Sequence, residues 1–190
     1  MARKKGNMKS KIKRLLMILA ISMFFSNVLL AQENKHFNFI GINPSVTVEP
    51  FYEKGELDFN ILPIVYQRLA TKLVDIRLTS ILNLGIRNEG NSISHYGFEM
   101  GFPVFFKRKD TIKEVSKGFF IAPLVSVSRN SIEAHNNLGL WLEPGYNMLF
   151  ENNYAMSFGL QLGGTYFDYD NGQTTWGSHL GVKIIIGKWL

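Results

Sequence analysis

From Tyr154 to Phe167, large apolar residues alternate with glycine, small and polar ones. Tyr154, Met156, Phe158, Leu160 and Leu162 share one parity, and Ala155, Ser157, Gly159, Gln161 and Gly163 the other. A two-residue repeat of that length belongs to a long β-strand with two unlike faces. The same alternation fills Trp176 to Leu190 and can be followed back to Phe37. It predicts about eight strands, near 37–49, 57–69, 73–87, 93–106, 118–128, 137–150, 154–167 and 176–190. Turn-rich stretches separate them, among them Ala70-Thr71-Lys72, Glu151-Asn152-Asn153 and the segment holding Asp170, Asn171 and Gly172. Helical periodicity is missing from the region, and every neighbouring pair can be a hairpin, so the expected class is all-β with up-and-down antiparallel order. Pro44, Pro63, Pro103, Pro123 and Pro144 fall inside these strands. Each removes a ladder donor, which places them at bulges or strand ends.

One face collects Ile40, Ile42, Val46 and Val48, then Leu57, Phe59, Ile61 and Val65, and continues around every strand to Leu180, Val182, Ile184 and Ile186. The opposite face is mostly glycine, serine, threonine and asparagine. It also carries Glu49, Asp58, Arg68, Asp75, Arg77, Arg87, Glu99, Glu143 and Lys183. A water-soluble barrel would send long charged side chains outward. Here the polar face is small, which suits the narrow interior of an eight-stranded barrel. The continuous apolar face then needs lipid, and a sheet in hydrocarbon must close because an open edge cannot be satisfied there. Tyr146, Phe150, Tyr154, Tyr166, Phe167, Tyr169, Trp176 and Trp189 stand near strand ends, where aromatic belts are expected at the two interfaces. Lys188 breaks the apolar row near its end, where a lysine can snorkel.

The N-terminus changes the picture of charge. Arg3, Lys4, Lys5, Lys9, Lys11, Lys13 and Arg14 precede an apolar run from Leu15 to Phe25 and a more polar exit ending in Ala31. That is the layout of a cleavable secretory signal peptide over residues 1–31, with the mature domain at 32–190. The leader holds seven of the 21 Lys and Arg and none of the 15 Asp and Glu, leaving 14 basic against 15 acidic residues, a formal charge of −1. Such a mature chain lacks the clustered basic surface that nucleic acid requires. With no cysteine, a thiolate metal site and a disulfide framework are excluded.

The segment from Phe37 to Leu190 resembles the small eight-stranded outer-membrane proteins of the OmpA and OmpX type. The leader followed by Gln32-Glu33 resembles those of Bacteroidota. The resemblance implies a monomeric transmembrane β-barrel in the bacterial outer membrane, with both termini periplasmic and outer-membrane lipid as its surroundings. It also implies an assembly machinery that reads a terminal aromatic, here displaced by one position to Trp189-Leu190. It identifies an architecture rather than an activity.

Three functional readings follow. In the first, the inward charges pair into a salt-bridge network that plugs the lumen, because buried charges persist only when paired. The role is then structural or one of surface interaction, with no enzyme activity and no cofactor. The second is a narrow pore lined by the same charges. The third is a lipid A-modifying enzyme, which needs a nucleophile with a base in reach. Ser94-His95 and Ser178-His179 are adjacent pairs, and strand alternation sends each histidine inward and each serine to lipid, so neither makes a dyad alone. Of His36, His95, His135 and His179, only His95 and His179 are expected in the lumen, too few for a metal set. The run from Gly159 to Gly164 lies on a strand and opens no helix, so it is no phosphate loop.

Overall fold

The computed structural model describes residues 37–47, 56–107 and 114–190. The predicted signal peptide and Glu49 lie outside the described residues. Eleven strands form: β1 (Asn38–Ile42), β2 (Val46–Thr47), β3 (Leu57–Asn60), β4 (Ile64–Leu69), β5 (Asp75–Ile86), β6 (Ser92–Gly101), β7 (Val104–Phe105), β8 (Gly118–Asn130), β9 (His135–Leu149), β10 (Tyr154–Tyr169) and β11 (Thr174–Trp189). β1 with β2, β3 with β4, and β6 with β7 are halves of single staves, so the barrel has eight. Each stave pairs antiparallel with its neighbours in sequence. The last closes on the first through Phe39↔Trp189 to Ile42↔Ile186, with the Leu190 N–H donating to Asn38 O at 2.6 Å.

Three of the five prolines explain the broken staves. Pro44, Pro63 and Pro103 sit between the two halves of the first, second and fourth. Pro123 and Pro144 remain inside β8 and β9, on the outward side, in register with Leu142 and Ile121. At Pro63 the lost ladder is patched by side chains. The Ile64 N–H donates to Ser80 Oγ at 3.0 Å, the Leu62 N–H to Asn60 Oδ1 at 3.1 Å, and Asn60 Nδ2 to Ser80 O at 3.2 Å. The turn predicted at Glu151–Asn153 is one 3-10 turn, with Asn152 and Asn153 at φ 54° and 64°. Asparagine tolerates that left-handed conformation better than most residues.

The Pro63 interruption also shifts the alternation by one residue. Asp58 and Asn60 point inward in β3, but Val65, Gln67 and Leu69 do so in β4. Val65, expected outside, is therefore fully buried, and Arg68, expected inside, is on the outer face. Apart from a bulge at Ser94, the predicted parity holds through the other described staves. Ile40, Leu78, Phe98, Val127, Leu140, Phe158 and Ile184 are exposed on the outside of the closed sheet. Among the described residues no helix is long and apolar enough to cross a membrane.

Inside, the end nearest the termini is filled with apolar side chains. Phe39, Val65, Leu69, Ala155, Ile185 and Trp189 form one cluster, and Phe105, Phe120, Ala122 and Leu124, with Trp141 against them, form another. Trp189, placed in an interfacial belt by its position near a strand end, is 1% exposed and packs on Phe39 with ring centroids 5.4 Å apart. Phe167 and Tyr169 also face inward, because they share the parity of Gln161 and Thr165. Tyr146, Phe150, Tyr154 and Trp176 are outside as expected. Lys188 reaches over the Tyr154 ring, 5.2 Å from its centroid.

Replacing Trp189 with alanine removes the largest side chain of this floor and should cost about 3–5 kcal/mol of barrel stability. Trp189→Phe should retain most of it. Urea unfolding midpoints of the refolded barrel measure both, and an unchanged midpoint for Trp189→Ala would contradict the packing described.

Candidate functional site

Above the apolar floor, four predicted charges meet in one layer across the lumen. Arg77 Nη1 donates to Glu143 Oε1 at 2.7 Å, and Lys183 Nζ is bonded to Glu99 and lies 3.7 Å from Glu143 Oε2. All four side chains are buried, at 1–6% exposure. Gln161 Nε2 donates to Glu99 Oε2 at 2.9 Å and to Glu143 Oε2 at 3.3 Å. Gln67 links the layer to Asp75, accepting from Arg77 Nε at 2.9 Å and donating to Asp75 Oδ2 at 2.8 Å. The Ser116 hydroxyl completes Asp75 at 2.5 Å, and Arg77 also lies over the Phe120 ring. The bonds join β4, β5, β6, β9, β10 and β11, so the layer braces the barrel across its width.

Gly159 pairs with Gly145 on the neighbouring strand, and the Glu143 side chain lies over it. A Cβ there would stand 2.6 Å from Glu143 Cγ. The small inner residues are thus the seats of large ones reaching from adjacent staves, which is how a narrow barrel accommodates a guanidinium and an ammonium together.

A second group lies nearer the loop end. Arg87 Nη2 donates to Asp58 Oδ1 at 2.8 Å, and Asp58 Oδ2 is 3.1 Å from His95 Nδ1. Between the two groups is a cavity of about 410 Å³, whose lining includes His95, Glu99, His135, Trp141, His179 and Lys183. Glu99, Gln161 and Lys183 of the charged layer lie in its wall. His179 stacks on Trp141, with centroids 4.0 Å apart and planes 13° from parallel. At the rim, Arg129 donates two parallel hydrogen bonds to the Asp170 carboxylate, at 2.7 and 2.6 Å. Hydrogen bonding from Arg129 holds the Asp170 carboxyl below its ordinary range.

Seven of the nine charges expected in the lumen are therefore there: Asp58, Asp75, Arg77, Arg87, Glu99, Glu143 and Lys183. They form two groups rather than one network. Arg68 is displaced by the parity shift at Pro63, and Glu49 lies outside the described residues. Gln67, Gln161 and Ser116 escaped the reading of charge alone, although their position on the polar parity was a usable signal for Gln161. Leu190, the other half of the terminal pair, is half exposed at 54%.

Two further expectations change. His135, assigned to a loop, opens β9 and is buried in the lumen, with Nδ1 2.5 Å from Asn137 Oδ1 and Nε2 3.0 Å from Glu133 Oε2. Three histidines thus share the cavity, yet among the described residues no three His, Asp or Glu side chains come close enough to hold a metal ion. Ser94 does not face lipid. A register shift between Asn83 and Leu84 leaves it as the extra residue opposite them, and it is buried with its hydroxyl donating to Asn83 O at 3.3 Å.

The fold and interior define a closed eight-stranded antiparallel β-barrel. Comparison with protein-family models, with curated proteins and with solved structures finds no match.

Arg77→Met leaves Glu143 buried beside Lys183 alone and should destabilise the barrel by about 3–5 kcal/mol, the usual cost of breaking a buried pair from one side. Adding Glu143→Gln to that protein should recover part of the loss. Equal denaturation midpoints for the single and double variants would contradict the pairing.

Proposed function

We propose that this chain is an integral outer-membrane barrel with a plugged lumen and a structural or surface-interaction role. The observation that carries the reading is the inversion of the usual arrangement. Apolar side chains stand exposed around the outside of a closed sheet, while arginine, lysine and carboxylates are buried inside it. In water an exposed apolar surface of that extent is unstable, whereas in a bilayer it replaces lipid at no cost. Export by the N-terminal leader, passage through the barrel-assembly machinery with Trp189 and Leu190 as its signal, and a monomeric state complete the proposal. The termini and the short turns around Thr71 and Asn152 then lie in the periplasm, and the Arg129–Asp170 rim lies outside the cell.

The plug separates this role from the two alternatives. An apolar floor made of two clusters, and above it a hydrogen-bonded charge layer, close the barrel below the cavity. An ion crossing them would have to break buried pairs, so the pore reading has no support in the interior. Ser94 is buried on the same side as His95, but its hydroxyl donates to the Asn83 carbonyl rather than to a base, which weighs against the lipid A-modifying reading.

Fractionation of cells expressing the full chain should place the protein in the outer membrane, with faster gel mobility unheated than boiled. Recovery as a soluble periplasmic protein would overturn the proposal. In planar bilayers the purified barrel should give no reproducible single-channel steps; regular steps would overturn the plug while leaving the membrane location intact.

A further inference from the structure

The parity shift at Pro63 puts Arg68 on the outer face, and closure of the sheet decides what stands beside it. Arg68 and Lys188 are each the last residue but one of their strands, β4 and β11, and those strands flank β1 on either side. Arg68 pairs with Asn38, while Tyr66, Ile40 and Lys188 form the next row across the closing seam, which Tyr154 extends. Phe39, Gln67, Ala155 and Trp189 are buried on the alternate parity, so these residues face outward. The group lies at the terminus end of the wall, around the apolar floor that holds Phe39 and Trp189.

Three donors meet there. The Tyr66 hydroxyl donates to Asn38 Oδ1 at 2.8 Å, which fixes the amide and leaves Nδ2 to donate elsewhere. Lys188 Nζ is held 5.2 Å from the centre of the Tyr154 ring. Among the described residues neither Arg68 nor Lys188 forms an ion pair. The arginines toward the loop end differ, since Arg87 is matched by Asp58 and Arg129 by Asp170. Two uncompensated cations beside an oriented amide, on a face that is otherwise apolar, suit an anion that the chain does not itself supply. Where such a face meets a bilayer, the anion at hand is a headgroup phosphate.

We infer that Arg68, Asn38 and Lys188 form a docking site for the phosphodiester of an anionic glycerophospholipid in the leaflet around the terminus end of the barrel. Arg68 presents its planar fork to two phosphate oxygens, and Asn38 Nδ2 donates to one of them. Lys188 adds a second positive charge, which favours a headgroup of net negative charge over a zwitterionic one. The acyl chains lie along the exposed Ile40, Ile42 and Ile186 of the same seam. This inference rests on the membrane-embedded reading proposed above.

The test has two stages. Flotation of the purified barrel with phosphatidylcholine vesicles reads insertion alone. The barrel in detergent micelles is then titrated with phosphatidylglycerol or phosphatidylcholine of the same acyl chains, and bound lipid is counted by native mass spectrometry. The site predicts one phosphatidylglycerol held about tenfold more tightly than phosphatidylcholine, a preference that Arg68→Gln abolishes and Lys188→Gln reduces. Tyr66→Phe changes no charge but releases the Asn38 amide, and should weaken phosphatidylglycerol about threefold. Arg129→Gln, which removes a cation at the other end of the barrel, should leave the preference unchanged. Failure to float would overturn the membrane reading itself. Flotation followed by equal binding of the two lipids would overturn the site and leave the membrane reading standing. A preference that survives Arg68→Gln, or that Arg129→Gln lowers as much, would reduce it to general attraction between charges and overturn the assigned residues. Unchanged affinity in Tyr66→Phe would equally overturn the site, which keeps the test decisive should Arg68→Gln lose its heat-modifiable mobility.

Discussion

Closure of the sheet is the constraint on which the rest depends. A barrel leaves no backbone edge to be satisfied where staves are paired, and it divides every strand into residues that look out and residues that look in. Once Phe39↔Trp189 to Ile42↔Ile186 join the last stave to the first, the side of each residue is set by its parity. The exterior then carries apolar side chains, and every arginine, lysine and carboxylate of the other parity must find its partner within a narrow lumen.

That demand shapes the interior. Arg77 and Lys183 share Glu143, and Lys183 also holds Glu99, while Gln67 and Gln161 take up the remaining donors and acceptors. Buried pairs of this sort contribute little net stability against an apolar alternative, but a missing member leaves an expensive orphan. Their value lies in fixing which staves face each other. The prolines pose the opposite problem, loss of donors in the wall, and the sequence answers it locally at Pro63 with Ser80 and Asn60. Among the described residues no ladder joins β2 to β11 beyond Pro44.

The class of fold and most of the lumen were legible in the chain. Alternation from Phe37 to Leu190 marked eight staves, and the charges on the polar parity were the ones that the barrel buries, Arg68 and the undescribed Glu49 aside. The departures from parity share one cause. Arg68, Val65 and Ser94 all lie beside irregularities, the crossing at Pro63 and the register shift at Asn83/Leu84, where one extra residue reverses every side chain that follows or is itself turned inward. Trp189 and Phe167 were judged by nearness to a strand end, although their parity already pointed inward.

Period and parity are local properties, so the chain alone determined the strands, their order and the two faces. Which inward groups meet is a property of the closed barrel. Arg77 and Glu143 are 66 residues apart, and Lys183 and Glu99 are 84 apart. Their contact depends on the stagger and circumference of the whole sheet, which no window of sequence contains. The same holds for the cavity, whose lining comes from staves far apart in the chain.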